Sequence, residues 1–258
     1  MPLTVGYVVR RTLEVVRETA APLITVIAVF MLPSAVIGGV LARSFTPEQM
    51  ADTSNLGRVM LTSTAASLVS LVFYAIAHAS ALLVALDRLA GETPTFADAA
   101  RKAASRLGAI VVASILFYLA IGVGFLLCFV PGFIAVAGLG LAIPALLAER
   151  LGPVDAMRRS WELTKGHRLL VFTAFFVVGV TAICISLVVQ FATMGNFFAD
   201  PTAPYKISLT AWILQQVFGY VLGVLYSAVL AVLAAVLYSE IRSSKEGVDV
   251  QSMTTVFE

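Results

Sequence analysis

The polar positions of this chain are few and bunched, and the intervals between the bunches are almost wholly apolar. Apolar runs cover residues 19–41, 59–86, 107–130, 132–149, 169–189 and 207–239. Each suits a crossing of a ~30 Å hydrocarbon core at ~1.5 Å rise per residue. No segment alternates at period 2 over ten residues, which argues against a β-barrel. The pattern therefore predicts an all-α, polytopic membrane bundle of six transmembrane helices, with one membrane domain over 1–242 and a polar tail over 243–258. Pro33 and the pair Gly38–Gly39 fall inside the first run and predict a bend there.

Three of the polar bunches carry helical periodicity of their own. In residues 4–18, Val5, Val8, Val9, Leu13 and Val16 fall toward lipid, and Arg10, Arg11, Glu14 and Arg17 toward water. Around residues 95–106, Thr95 is positioned as an N-cap and Asp98 lies in the first turn, where the helix dipole favours a negative charge. From Gly152 a third helix opens with Pro153 at its first position, Asp155 in its first turn, Lys165 in its last and Gly166 just beyond. On its wheel Val154, Met157, Ser160, Trp161 and Thr164 share one half, opposite Asp155, Arg158, Arg159, Glu162 and Lys165. These three segments predict amphipathic interfacial helices.

Composition agrees: 60% of the 258 residues are hydrophobic, 12% are charged, and the mean hydropathy is +0.96. A soluble domain carries about a quarter of its positions as charges. Of the 17 Lys and Arg residues, fourteen lie in the N-terminal segment, the 87–106 and 149–168 connections and the stretch from Arg242 onward. Only Arg43, Arg58 and Lys206 lie in the alternate connections. The positive-inside rule then places both termini and the three amphipathic helices in the cytoplasm. Trp161, Tyr7 and Tyr238 are expected at the inner interface, and Phe197, Phe198, Tyr205 and Trp212 at the outer one. No basic run suggests nucleic acid. Arg10, Arg11, Glu14, Arg17 and Glu18 break the apolar core a signal peptide would need. Cys128 and Cys184 sit inside apolar runs without metal-type spacing and are expected as small packing residues.

Alignment of 95–103 with 152–160 sets Asp98 on Asp155, Ala99 on Ala156, Arg101 on Arg158 and Lys102 on Arg159. The preceding runs end at Asp87–Arg88 and Glu149–Arg150, and the last ends at Glu240 and Arg242. Arg10–Arg11 stand in the equivalent place of the first unit. The unit is surface helix, span out, span back, acid and arginine, which predicts a pseudo-threefold helix-hairpin repeat.

Val130-Pro131-Gly132, Pro144, Glu149, Leu151-Gly152-Pro153, Ala156, Arg158-Arg159-Ser160-Trp161, Leu163-Thr164-Lys165-Gly166 and Arg168 together resemble the membrane domain found beside some bacterial glycerophosphodiester phosphodiesterases, and the related YciC-type inner-membrane proteins. The likeness is specific over 130–168 and elsewhere extends to the six-span plan. It implies a six-helix bundle in the bacterial cytoplasmic (inner) membrane. It implies no catalytic residues, because where a phosphodiesterase activity exists it belongs to a separate soluble barrel.

Few side chains stand out chemically. His78 is the ionisable group well inside a span, nine residues or ~13 Å before Asp87. An intramembrane ionisable group suggests function, and Tyr74, one turn away on the same run, is in reach of a shared hydrogen bond; the alternative is a neutral histidine hydrogen-bonded across a helix interface. The steps at Asp87, Arg88, Glu149 and Arg150 read either as an ion-pair ring at the mouth of a cavity or as interface anchors. Arg158, Arg159, Lys165 and Arg168, with Arg101, Lys102 and Arg106, form a basic surface worth about 1 kcal/mol per charge against an anionic leaflet. Gly219, Gly223, Ser227, Ala231, Ala235 and Ser239 recur every four residues and predict close helix packing, within the chain or against a partner or second copy. No catalytic, cofactor-binding or metal motif appears. Three functions fit: a non-enzymatic membrane protein of envelope or lipid upkeep that contacts lipid or protein, a transporter of lipid or small amphiphile through a cavity between repeats, and a membrane enzyme using His78.

Overall fold

The computed structural model describes residues 3–44, 53–127, 129–193 and 209–247, and the regular structure among them is helical throughout. In order these are α1 (Val5–Glu18), α2 (Ala20–Ser44), α3 (Leu56–Leu89), α4 (Phe96–Ser105), α5 (Leu107–Leu127), α6 (Phe129–Leu139), α7 (Ala142–Ala148), α8 (Pro153–Leu163), α9 (Arg168–Thr193) and α10 (Leu209–Glu246). Six stretches are long and apolar enough to cross a membrane: Ala20–Leu41, Leu56–Leu89, Leu107–Leu127, Phe129–Ala148, Arg168–Phe191 and Trp212–Glu246. The chain is an all-α integral membrane protein.

The element boundaries differ from expectation in three places. α5 ends at Leu127 and α6 begins at Phe129, so Pro131 and Gly132 lie inside the first turns of α6. A proline fits there because the first-turn N–H groups have no intrahelical partner. The hairpin is tight because Gly124 faces Gly132: a Cβ on Gly124 would lie 2.9 Å from the Gly132 backbone. The fourth span is two helices, α6 and α7, separated at Gly140 and Leu141. Finally, α10 continues to Glu246, so residues 243–246 are helical.

Burial divides the spans into two sets. In α3, α6–α7 and α10, 50%, 50% and 56% of the most apolar stretch is buried; in α2, α5 and α9 the shares are 22%, 17% and 11%. Each hairpin thus sends a peripheral helix out and returns a central one. α10 is the spine and packs on α1, α2, α3 and α9. Its small residues make this contact within the chain: Ser227, Ala231, Ala235 and Ser239 are buried, and Gly223 faces Met31, while nothing approaches Gly219.

The short helices pack sideways onto one end of the bundle. α1 buries Val8, Thr12 and Val15, largely against α10. This corrects the lipid-facing role expected of Val8; Leu13, which shared that expectation, is exposed. α4 starts with the expected cap, Thr95 Oγ1 accepting from Asp98 N at 3.2 Å. α8 opens at Pro153 and is followed by Gly166 at φ +88°, a conformation suited to glycine. Its buried stripe is Ala156, Ser160 and Leu163, so the protein-facing side is rotated from the expected one and Val154 is exposed. Tyr238, expected at the interface, is fully buried. Cys184 is a free, exposed thiol and does not pack as expected. Cys128, Phe197, Phe198, Tyr205 and Lys206 lie outside the described residues.

Candidate functional site

The break between α6 and α7 follows from Pro144. With no N–H, it supplies no donor for the carbonyl four residues back, at Gly140. α8 braces the gap. Ser160 Oγ donates to the Gly138 carbonyl at 2.8 Å and accepts from Leu141 N at 3.1 Å. Thr164 Oγ1 adds a longer contact to the same carbonyl, 3.3 Å. The Trp161 ring lies so close that a Cβ on Gly138 would sit 2.3 Å from it. Phe175 of α9 presses on Gly140 from another side, 2.8 Å from where a Cβ would stand. Within the densest sequence signature, Arg158-Arg159-Ser160-Trp161, Ser160 and Trp161 therefore brace a discontinuous span.

Beside that break lies a cavity of about 310 Å³. Its walls come from α3, α5, α6, α7, α9 and α10. Leu139, Gly140, Ile143 and Pro144 bring the broken span to its edge. The polar groups lining it are Tyr74 and His78 from α3, Ser114 and Tyr118 from α5, and Tyr226 from α10. No Asp, Glu, Lys or Arg is among the lining residues. Tyr118 is 51% exposed, so the wall there also meets the outside of the bundle. His78 stacks on Tyr74, with ring centroids 6.0 Å apart and planes 4° from parallel. Its Nδ1 is buried and has no hydrogen-bond partner among the described residues. His78 and Tyr74, one turn apart, thus meet by stacking, and Nδ1 makes no bond across the helix interface among the described residues.

The acid–arginine steps bond to other elements of the fold. Asp87, 4% exposed, takes Lys102 of α4 at 3.2 Å, and Arg88 reaches Glu18 of α1 at 2.9 Å. Glu149 accepts both hydrogen bonds of Arg159 Nε at 2.9 Å and the Tyr238 hydroxyl at 2.7 Å. Arg159 Nη2 also pairs with Glu246, which takes Arg242 Nε at 3.0 Å. Burial would lower the Arg159 pKa, but hydrogen bonds and charge from Glu246 and Glu149 hold it above the ordinary arginine value. Arg150 adopts a left-handed backbone, φ 52°, and its carbonyl accepts from Arg106 Nη2 at 2.9 Å. Arg106 also donates to the Leu146 and Leu151 carbonyls, at 3.0 and 3.2 Å, and so caps the C-terminal end of α7. At the last step Glu240 accepts from the Tyr7 hydroxyl at 3.0 Å. Burial, then this hydrogen bond, raise the Tyr7 pKa.

These contacts divide the expected basic surface. Lys102, Arg106 and Arg159 hold the bundle together. Arg158 and Lys165 are exposed, Arg101 makes a long contact to Asp98 at 3.8 Å, and the Arg168 guanidinium lies 3.9 Å over the Trp161 ring. No group of three or more His, Cys, Asp and Glu side chains suited to a metal ion occurs among the described residues.

Sequence reasoning singled out His78, Ser160 and the acidic steps. It missed Ser114, Tyr118 and Tyr226 as cavity residues, and Glu246 as a bridging carboxylate. The i, i+4 spacing of Ser114 with Tyr118 was the available signal, since it sets both on one face of α5. No protein-family model, curated protein or solved structure matches this chain.

Proposed function

We propose that this protein is a non-enzymatic membrane protein that binds, and carries within the bilayer, a small uncharged amphiphile. The observation that carries this reading is the cavity of about 310 Å³ beside the discontinuous fourth span. Its size falls at the small end of ligand pockets, ~300–1,000 Å³, and its lining has their usual make-up, apolar walls with a few convergent polar groups. Irregular backbone at membrane depth is tolerated where it lines a cavity, and carriers place their binding sites at such breaks. Binding is favoured over catalysis because the lining offers His78 only hydroxyl neighbours and no carboxylate to orient or charge it.

The same reading sets the end bearing α1, α4 and α8 at the cytoplasmic face of a bacterial inner membrane, as the charge bias and the resemblance of residues 130–168 imply. Arg158, Lys165 and Arg168 then face anionic headgroups, and the amphiphile belongs to lipid or envelope upkeep. A pseudo-threefold repeat is supported by the contacts between units. Asp87 bonds Lys102, and Glu149 bonds Arg159 at the aligned position. Glu240 of the last return span bonds Tyr7 of the first surface helix, so the third unit closes onto the first.

Native mass spectrometry of the detergent-purified protein tests the binding reading. Wild type should retain a small neutral adduct, and Ser114→Phe, which fills the cavity, should lose it. Equal adducts on both proteins, or none on wild type purified from its membrane, would refute it.

A further inference from the structure

We propose that the cavity selects an uncharged hydroxyl head group, received by His78; the inference rests on the binding reading above. His78 is one of the lining residues, and its Nδ1 makes no hydrogen bond among the described residues, so the bundle does not engage that nitrogen. A neutral imidazole offers one N–H donor and one lone pair. A hydroxyl both donates and accepts, so it satisfies whichever nitrogen faces it. The remaining polar lining is of the same neutral kind: the hydroxyls of Tyr74, Ser114, Tyr118 and Tyr226. Tyr74 also holds the imidazole plane by parallel stacking.

Charge narrows the class further. With no charged residue in the lining, a phosphate, carboxylate or ammonium head would lose its hydration without a counter-charge. The apolar walls, Leu71, Ile110, Ile121, Phe175 and Leu230 among them, suit a compact hydrocarbon body. The partly exposed wall at Tyr118 gives such a molecule a route in from the lipid side. A fatty alcohol or other neutral single-chain lipid alcohol fits these conditions, and a diacyl phospholipid does not.

The experiment is photolabelling of the full chain in lipid nanodiscs by a diazirine-bearing fatty alcohol, with labelled peptides mapped by mass spectrometry. Unlabelled fatty alcohol, the matching fatty acid and the matching alkane serve as competitors. Label is expected on the cavity segments of α3, α5 and α10. The alcohol should compete roughly threefold to tenfold better than either analogue, the worth of one hydrogen bond. His78→Leu should keep the label and lose that preference, and His78→Gln, which retains hydrogen-bonding groups, should restore part of it. The wild-type competition series decides the head-group class even if His78→Leu does not fold. Equal competition by alkane or acid, or a preference that survives in His78→Leu, overturns the hydroxyl assignment and leaves the binding reading standing. Label absent from the cavity segments of wild type, or undiminished in Ser114→Phe, overturns both.

Discussion

Toward the end of the bundle that carries α1, α4 and α8, the spans bury their side chains in one another. Leu23, Val26 and Ile27 of α2, Ala79 to Ala85 of α3 and Ala231 to Tyr238 of α10 are almost wholly inaccessible. Toward the other end the same helices stand apart: Val36 and Val40, Leu61 and Leu68, and Leu214 and Val217 are about half exposed or more. Both halves are apolar, so hydrophobicity does not explain the difference. Lipid satisfies an apolar side chain as well as another helix does. The packed half has two things the open half lacks among the described residues: a run of small residues on α10, and charged or hydroxyl side chains that tie the surface helices to the span ends.

The sharpest way to break this contrast is to remove the acid at the centre of the ties. Glu149→Ala leaves Arg159, Arg242 and Tyr238 without their shared acceptor. Breaking a desolvated ion pair from one side costs ~3–5 kcal/mol; Glu149 and Arg159 are only partly buried, so about 3 kcal/mol is expected. Unfolding of the purified protein in detergent should show it as a large fall in midpoint. A loss below ~1 kcal/mol would mean that helix packing alone closes this end.

Two glycine substitutions sharpen the same point. Gly138→Ala drives a methyl into the Trp161 ring and should cost ~1–3 kcal/mol, as overpacking does. Gly38→Ala, on the open half of α2, meets nothing within 4 Å and should be neutral or gain up to ~1 kcal/mol from helix propensity. Equal effects in the same unfolding assay would erase the distinction between the halves. Ser160→Ala removes one donor and one acceptor at the α6–α7 break and should cost ~1–2 kcal/mol. Thr164 holds part of that loss back, through its own contact to Gly138.

How legible these features were in sequence depended on the range over which they act. The spans, the Thr95 cap, Pro153 at the start of α8 and Gly166 after it are local, and local pattern placed them. The break at Gly140 has a local cause in Pro144, which lacks the N–H that would bond the Gly140 carbonyl. That Ser160 would fill the break, however, depends on a contact 22 residues away that has no period. Adjacent residues on a helix point about 100° apart, so Asp87 and Arg88 diverge toward Lys102 and Glu18, partners that their adjacency does not name. The faces of α1 and α8 misled for a physical reason. Hydrophobicity separates water from everything else, and it does not separate a lipid-facing side from a protein-facing one. Size does better, though not alone: the buried positions of α4 and α8 are the small Ala99, Ala103, Ala156 and Ser160, together with Leu163. The cavity was the least legible feature, since it is defined by side chains from helices that only the fold brings together.

The smallest predicted effect tests the open half directly. Leu61 is 72% exposed and Leu82 of the same helix is fully buried. Leu82→Ala deletes packed atoms and should cost ~2–5 kcal/mol. Leu61→Ala only exchanges lipid contact for slightly different lipid contact and should change stability by less than ~0.5 kcal/mol in nanodiscs. The paired measurement separates two accounts of the exposed surface. If lipid is its partner, the two leucines differ as stated, and the difference persists when the protein is diluted. If another copy of the chain covers this half, Leu61→Ala costs as much as a core truncation, and the cost falls as the protein is diluted, because stability drawn from association depends on concentration.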